Sequence, residues 1–244
     1  MKNFDAWGKH DPLWAILTAP GKKGNKWKTD EFFKTGVEQV DGVIKYLETI
    51  PVDLKRGRAL DFGCGVGRLT QALGNYFDEV CGVDIAPSMI KLANDYNGHG
   101  EKIKYFINKT NDLSIFPDNE FDFILTLITL QHMEPRYSMK YMKEFIRILK
   151  FGGVLVFQIP AAYARPSFGK RIEQSIRYRT PVFIIKLIYS LEGKEVRPPL
   201  MEMYGIDRDE VERLLNDNGA KVIDVLSMAK GKPPPNFRYC VTKE

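Results

Sequence analysis

The chain has 244 residues, of which 44% are hydrophobic and 27% are charged, with a net charge of +5 at neutral pH. This is the composition of an ordinary soluble protein, and the length suits one large domain or at most two small ones. No apolar run approaches the ~20 residues that span a bilayer, and the charged N-terminus lacks a secretory signal pattern. The three cysteines have no metal-like spacing, which predicts reduced thiols, no metal centre and a cytoplasmic location.

The excess positive charge lies in one segment. Residues 165–197 contain eight Lys or Arg and three acidic residues, which accounts for the whole net charge. A basic segment favours an anionic ligand, although a solvated surface is the commoner explanation of such a pattern. The apolar residues 182–189, which have basic neighbours, would also suit contact with a membrane surface.

The sequence is organised around residues 58–70, where a short apolar run leads into glycines at 63, 65 and 67. The run is too short for a helix and predicts a buried parallel strand that ends in a tight turn. Apolar residues at helical spacing follow from about Gly67. A strand, a glycine-rich turn and a helix form a nucleotide site in α/β proteins, because glycine lets the backbone approach a ligand closely.

The remaining pattern predicts alternating strands and helices. A polar N-terminal arm, residues 1–30, contains tryptophans that would either pack it onto the body or make it a cap over a pocket. Thr29 is the predicted N-cap of the first long helix, which ends before Pro51. Further strands are predicted at 79–84, 103–107, 121–130, 154–159, 221–226 and 237–242, and helices from Pro87, over 137–149 and from Asp207 to Gly219. This alternation predicts a doubly wound sheet.

The glycine turn and its surroundings resemble a known family. The string D-x-G-x-G-x-G from Asp61 to Gly67 resembles motif I of the class I S-adenosylmethionine-dependent methyltransferases. Asp84 ends the second predicted strand, 21 residues after Gly63, where that family has an acid that binds the ribose hydroxyls of the cofactor. A helix N-cap before Pro87 is the alternative role of Asp84, but its position relative to the glycines favours cofactor binding.

Other segments extend the resemblance. Residues 116–124 resemble the family's approach to its fourth strand, and residues 149–155 resemble its turn before the fifth, with Phe151 in place of the usual proline. The resemblance covers about residues 56–160 and, more loosely, 206–244. It implies an α/β, Rossmann-like fold with a doubly wound, seven-stranded, mostly parallel sheet whose last strand is antiparallel.

The whole chain, residues 1–244, is therefore expected to be a single methyltransferase domain. Its predicted parts are an N-terminal arm and helix (1–50), a cofactor-binding core (51–160), a helical lid insertion (161–205) and a C-terminal helix with a strand pair (206–244). The sequence predicts no particular oligomeric state.

The resemblance implies S-adenosylmethionine as the cofactor, with a set of contact residues. The polar residue that faces the adenine ring falls near Asn111, with Thr110 as an alternative register. The predicted cofactor-binding residues are Asp61, Gly63, Cys64, Gly65, Gly67, Arg68, Asp84, Ile85, Met89, Asn111, Asp112, Leu113 and Leu127.

His132 follows the fourth predicted strand, at a position that lies beside the transferred methyl group in that family. It would act as a general base for a hydroxyl or amine substrate, or it would only hold the loop by hydrogen bonds. In related enzymes an insertion after the fifth strand forms a substrate lid. Arg165, Glu202 and Tyr204 are the candidate substrate contacts in this insertion.

The leading hypothesis is a methyltransferase that acts on a small, anionic acceptor, with O-methylation favoured over N-methylation. Residues 131–135 lack the Asn/Asp-Pro-Pro-aromatic pattern of enzymes that methylate amino groups of nucleic acids and protein amides. An RNA methyltransferase that uses the basic segment is the alternative, but the sequence has no recognisable RNA-binding module, so we expect no nucleic-acid partner. Arg68 at the sixth position of the glycine pattern disfavours a nicotinamide-dependent oxidoreductase. A non-catalytic nucleotide-binding module is a further alternative.

Overall fold

The computed structural model describes residues 2–161, 203–228 and 235–244. Helices α1 to α7 are Lys2–His10, Pro12–Ile16, Thr29–Leu47, Arg68–Leu73, Pro87–Asp95, Pro135–Ile148 and Arg208–Asp217. Strands β1 to β7 are Arg58–Phe62, Glu79–Asp84, Ile103–Ile107, Phe121–Thr126, Leu149–Pro160, Ala220–Ser227 and Asn236–Lys243. Nearly all of the predicted helical lid, with Arg165, Glu202 and the basic segment 165–197, lies outside the described residues.

The seven strands form one sheet in the order β3-β2-β1-β4-β5-β7-β6. Strands β3, β2, β1, β4 and β5 run parallel, and β7 is antiparallel to both of its neighbours. The predicted doubly wound, mostly parallel sheet with an antiparallel last strand is therefore confirmed. The strand order reverses at β1 and β4, and in such sheets a ligand binds at the carboxyl ends of the strands next to this point.

Helices cover both faces of the sheet, which explains the nearly uninterrupted apolar strands. On one face, α3 and α4 pack against the strands through fully buried residues such as Val40, Leu73 and Phe123. On the other face, Phe145 of α6 packs against Phe62, with ring centroids 5.0 Å apart. The two cores fix the positions of the carboxyl ends of the strands, and the connecting loops begin at these ends. In the described part of the chain, no helix is long and apolar enough to cross a membrane.

The N-terminal arm packs against the body next to the glycine turn. Trp14 and Trp27 lie against an apolar cluster that contains Val66 and Met89. The indole nitrogen of Trp27 also donates to the Leu17 carbonyl at 3.0 Å. The predicted packing role of the arm's tryptophans is confirmed for these two.

Two local predictions are wrong. Helix α3 begins at Thr29 itself, and no side chain caps its first turn. Strand β4 ends at Thr126 rather than four residues later, because Ile128 turns out of the strand with a left-handed φ of 61°. By contrast, Asp207 caps α7 as predicted and accepts a hydrogen bond from an amide of that helix at 3.0 Å.

Candidate cofactor site

The turn after β1 is folded over the end of β2 by backbone hydrogen bonds. The amides of Gly63 and Cys64 both donate to the Val83 carbonyl, at 2.8 and 3.0 Å. Gly63 has a left-handed φ of 77°, and Thr129 fills the place where a side chain at this position would stand. Any residue with a Cβ would be strained here and would displace Thr129. The loop after β4 and the glycine turn are thus in direct contact.

Asp84 ends β2 beside the glycine turn, as the sequence predicts. Its Oδ2 accepts the Gly65 amide and its Oδ1 accepts the Ala86 amide, each at 2.9 Å. The two carboxylate oxygens of this half-buried residue have four lone pairs together, and these two amides occupy two of them. Burial raises the pKa of the carboxyl, and the amide donors oppose the rise by stabilising its charged form. The N-cap of α5 is Ala86, so the structure does not assign the alternative capping role to Asp84.

Asp61 lies beneath the turn and is closed off from solvent. It is 2% exposed, and its Oδ2 accepts the Thr70 hydroxyl at 2.6 Å. Burial raises the pKa of this carboxyl to about 6, against the hydrogen bond from Thr70 and the charge of Arg68. Asp61 therefore supports the turn from below, and its contact with a cofactor stays a prediction.

Three other predicted contact residues direct their side chains into the fold. The Arg68 guanidinium donates to Thr35 at 3.3 Å and to Gln39 at 2.6 Å, both on α3. The Cys64 thiol is buried, which raises its pKa well above the ordinary value. Met89 is buried in the apolar cluster under the N-terminal arm. Contact between these residues and a cofactor would therefore use their backbone atoms, a distinction that the sequence pattern does not make.

The N-terminal arm also reaches the glycine turn directly. Ile16, at the end of α2, lies against Gly65 and fills the place of a side chain there. Ile85 is half-buried and directly follows Asp84, whose carboxylate accepts the Gly65 amide of the turn. The arm thus forms part of the wall of the candidate site in addition to packing on the body.

The loop after β3 presents two of the predicted adenine-site residues at the surface. Asn111 is exposed and accepts a hydrogen bond from Lys140 of α6 at 2.7 Å. The Asp112 carboxylate accepts the hydroxyls of Ser114 and Thr110, each at 2.9 Å, and these bonds lower its pKa. Asp112 is therefore ionised at neutral pH, so its carboxylate accepts hydrogen bonds but donates none.

The next residues tie this loop to the core and to α6. The Leu113 side chain is fully buried, and its amide donates to Glu144 Oε2 at 2.7 Å. The predicted contact of Leu113 with a cofactor would therefore not involve its side chain. Asn108, which sequence reasoning missed, is buried directly after β3 and donates to the Asp112 carbonyl at 2.7 Å. The sequence offers one signal for Asn108, which is a polar residue immediately after the strand predicted at 103–107.

The chain leaves β4 through an unusual backbone conformation. Leu127, a predicted contact residue, is buried at the strand end, and Ile128 then adopts the left-handed φ of 61°. This conformation is rare for a β-branched residue, and such strained positions are concentrated at functional sites. The turn continues into a short 3₁₀ helix, Leu130–His132. Sequence reasoning missed Ile128, because β-branched residues give no signal for a left-handed position.

The chain returns over the same edge of the sheet at residues 203–207. The Tyr204 amide donates to the Gln131 carbonyl at 2.7 Å, and a second backbone bond of 3.1 Å joins Ile206 to the end of β5. The amide nitrogen of the Gln131 side chain lies 3.3 Å from Nε2 of His132. The structure thus brings the predicted residues His132 and Tyr204 to one place, at the carboxyl ends of β4 and β5.

This arrangement suits a ligand that carries two neighbouring hydroxyl groups. The Asp84 carboxylate has more lone pairs than the Gly65 and Ala86 amides use, and an acceptor of this kind suits the two hydroxyls of a ribose. The glycines at 63, 65 and 67 give the turn its left-handed conformation, and Thr129, Ile16 and Tyr105 take the space of their absent Cβ atoms. The residues present therefore fit the nucleoside part of a cofactor.

Comparison with known proteins identifies the family. The sequence profile of a family described as a methyltransferase domain matches residues 60–157, which include the glycine turn, Asp84 and β4. Residues 60–157 carry a methyltransferase domain. Magnesium protoporphyrin IX methyltransferase from Synechocystis PCC 6803, solved with bound S-adenosylhomocysteine, superposes with a TM-score of 0.61 at 16% identity, over 100% of this chain and 97% of that one. At this identity the likeness shows the shared fold alone.

Two curated relatives match part of this chain. Phosphoethanolamine N-methyltransferase 3 from Arabidopsis thaliana is 29% identical over 129 residues, which cover 52% of this chain and 26% of that protein. Ubiquinone biosynthesis O-methyltransferase from Xanthomonas oryzae pv. oryzae is 28% identical over 123 residues, which cover 48% of this chain and 51% of that protein. The matched part of the chain thus spans between a quarter and half of the length of these relatives, and their names differ in the atom that is methylated.

Proposed function

We propose that this protein transfers a methyl group from S-adenosylmethionine to an oxygen atom of a small, anionic acceptor. The observation that carries the proposal is the Asp84 carboxylate, which the Gly65 and Ala86 amides hold beside the glycine turn. From this position Asp84 would bind both ribose hydroxyls and place the adenosine along the carboxyl edge of the sheet.

The residues around the site would have separate roles in the reaction. S-adenosylmethionine supplies a sulfonium methyl group, which is already a strong electrophile. Asp84 would hold the ribose, and Asp112 would accept a hydrogen bond from the adenine amino group. Placing the acceptor in line with the methyl group in a dry site can then provide much of the rate. Ile16 lies against Gly65 of the turn and would help to exclude water.

His132 is the proposed general base. It is half-buried at the carboxyl end of β4, next to Gln131 and the returning segment that carries Tyr204. A neutral imidazole there would accept the proton of an acceptor hydroxyl as the new carbon–oxygen bond forms, and such proton transfer typically contributes roughly 10²–10⁴-fold to a rate. Tyr204 would contact the acceptor, and Arg165 and Glu202 remain candidates from the sequence.

The proposed acceptor is anionic, and its methylated atom is oxygen. Oxygen is preferred because residues 131–135 lack the pattern of amino-group methylases. The names of the two relatives do not decide between the atoms, since one is an N-methyltransferase and the other an O-methyltransferase. An anionic acceptor is supported by the basic composition of residues 165–197.

Isothermal titration calorimetry with S-adenosylhomocysteine tests cofactor binding without knowledge of the acceptor. We expect the wild-type protein to bind and Asp84→Asn to bind at least ~10-fold more weakly, because an amide replaces one acceptor oxygen with a donor. Asp95→Asn makes the same change at an exposed residue at the end of α5 and should bind as the wild type does. No heat with the wild type, or equal affinity of Asp84→Asn, would contradict the proposal.

A transfer assay with a methyl-labelled donor separates the finer alternatives. The acceptors would be small hydroxyl- and amine-bearing compounds, each with and without a carboxylate, together with RNA. Label transferred to carboxylate-bearing hydroxyl compounds agrees with the proposal. Label transferred only to amines would assign N-methylation, and label transferred only to RNA would replace the small-molecule acceptor.

A further inference from the structure

Tyr105 crosses the sheet edge and reaches the underside of the glycine turn. It lies on the edge strand β3, and its partner in register on β2 is Gly82. The ring carbons Cδ1 and Cε1 lie 2.6 and 2.7 Å from the position that a Cβ of Gly82 would occupy. The hydroxyl end of the same side chain fills the corresponding position at Gly67. One tyrosine ring thus uses the space that two glycines leave empty.

The contact falls on the last residue of the glycine turn. Gly67 has a left-handed φ of 85°, its amide donates to the Cys64 carbonyl at 2.9 Å, and its carbonyl accepts the Gln71 amide at 2.9 Å. These bonds join the turn to α4. A side chain in contact with Gly67 therefore influences the conformation of the whole turn between β1 and α4. This includes the position of the Gly65 amide, which donates to Asp84.

The hydroxyl of Tyr105 does not explain why a tyrosine is present. It is buried without a hydrogen bond of normal geometry in the described part of the chain, and burial raises its pKa although the nearby Thr70 hydroxyl opposes the rise, so it stays neutral. A buried polar group without a partner lowers stability. The ring is therefore the part of the side chain that acts here, by its volume and rigidity.

We propose that Tyr105 is a positioning residue for the cofactor, which acts through Gly67 to hold the glycine turn in its binding shape. The inference rests on the proposed binding of S-adenosylmethionine at this turn. Without the ring, the space beneath Gly67 would be empty, and the turn could relax toward β3. A small displacement of a binding loop is enough to weaken a ligand, since a site held loosely by its supporting residues loses affinity.

Three variants separate a positioning role from a purely structural one. Tyr105→Leu removes the ring, and Tyr105→Phe keeps the ring but removes the unpartnered hydroxyl. Tyr76→Leu is the control, because Tyr76 packs against the same core cluster without a contact to the turn and is tied instead to Asp41 by a hydrogen bond of 2.6 Å. Each protein is titrated with S-adenosylhomocysteine by calorimetry well below its Tm, and its Tm is measured separately.

We expect Tyr105→Leu to bind S-adenosylhomocysteine at least ~10-fold more weakly than the wild type, because the turn loses its support. Tyr105→Phe should bind within about threefold of the wild type and should have an equal or higher Tm, since the ring keeps its shape. Tyr76→Leu should have a lower Tm with unchanged affinity. If Tyr105→Leu does not fold, Tyr105→Met takes its place, because methionine adapts to irregular cavities.

Wild-type affinity in a folded Tyr105→Leu or Tyr105→Met protein would overturn the positioning role while leaving the proposed function intact. A loss of affinity in Tyr105→Phe as large as that in Tyr105→Leu would also overturn it, because the hydroxyl would then be the active part. Absence of binding by the wild type itself would instead overturn the proposed function, and the inference with it.

Discussion

The loops after β1 and β3 lie at the same edge of the sheet, but their neighbours hold them by different means. The glycine turn, residues 63–67, is packed by apolar and methyl-bearing side chains such as Thr129 and Ile16, which fill the space of absent Cβ atoms. Polar side chains of α6 hold the loop over residues 108–118. A single residue of that helix, Arg147, donates hydrogen bonds to two carbonyls of the loop. The glycine turn therefore depends on tight packing in addition to its backbone hydrogen bonds, whereas the loop after β3 depends on side-chain hydrogen bonds.

This difference predicts which changes each loop tolerates. A tightly packed turn fails when atoms are added, whereas a hydrogen-bonded loop fails when a donor is removed and carbonyls are left without partners. The glycine turn has a further sensitivity, since the buried carboxylate of Asp61 lies beneath it. Separate experiments can therefore test how stability responds to added volume, to pH and to the loss of a hydrogen-bond donor.

Gly63→Ala should have the largest effect. An alanine at a left-handed φ of 77° costs about 1–2 kcal/mol, and overpacking against Thr129 adds about 1–3 kcal/mol. Gly219→Ala is the matched control, because Gly219 has a φ of 76° with no neighbouring atom within 4 Å of its Cβ position. Urea denaturation should show a loss for Gly63→Ala that exceeds the control by at least ~1 kcal/mol. Equal losses would mean that the turn is not packed as tightly as the structure indicates.

Asp61→Asn should change how stability depends on pH. Burial raises the pKa of Asp61 in the fold from the ordinary 3.8 to about 6, so the folded state binds a proton more tightly than the unfolded state does. As pH rises from about 4 to about 6, the folded protein loses up to about 3 kcal/mol of stability from this group, at 1.36 kcal/mol for each pKa unit. Asparagine does not titrate, so the stability of the wild type relative to Asp61→Asn should fall over this range and stay level above it. Denaturation curves of both proteins across this pH range provide the measurement, and a constant difference would refute the raised pKa.

The sequence was sufficient for the features that depend on local pattern. Alternating strands and helices predicted the doubly wound sheet, and an acid at the end of the second strand predicted the position of Asp84. Both follow from residues close together in the chain, where turn chemistry and periodicity carry the information. The sequence also predicts that His132 follows the fourth strand, and the structure has it in the short 3₁₀ helix after β4.

The sequence could not predict contacts that depend on the direction of a side chain across elements. Arg68 was expected at the cofactor, but its guanidinium turns to α3, because Thr35 and Gln39 offer acceptors there. The path of Tyr105 across β2 was hidden for the same reason, since it requires the register of two strands and the position of Gly67 together. Such contacts join residues far apart in the chain, and no local pattern records them.

Arg147→Met should have the smallest of the three effects, and it tests the loop after β3. Arg147 donates to the carbonyls of Leu113 and Phe116 at 3.0 and 3.1 Å, and its ion pair with Glu144 raises its pKa further, so it stays charged at every working pH. Loss of these bonds should cost about 2 kcal/mol in urea denaturation. Arg136→Met removes an exposed arginine from the same helix and should cost less than ~1 kcal/mol.

The two loops should also differ in cofactor affinity after these substitutions. Methionine at Arg147 leaves the glycine turn and Asp84 unchanged, so affinity for S-adenosylhomocysteine should fall less than it does in Gly63→Ala. If Arg147→Met instead weakens the ligand as much as Gly63→Ala does, the loop after β3 contributes as much to binding as the glycine turn. The two loops would then contribute equally to binding of the adenosine. The packing of one and the hydrogen bonds of the other would differ only in their effect on stability.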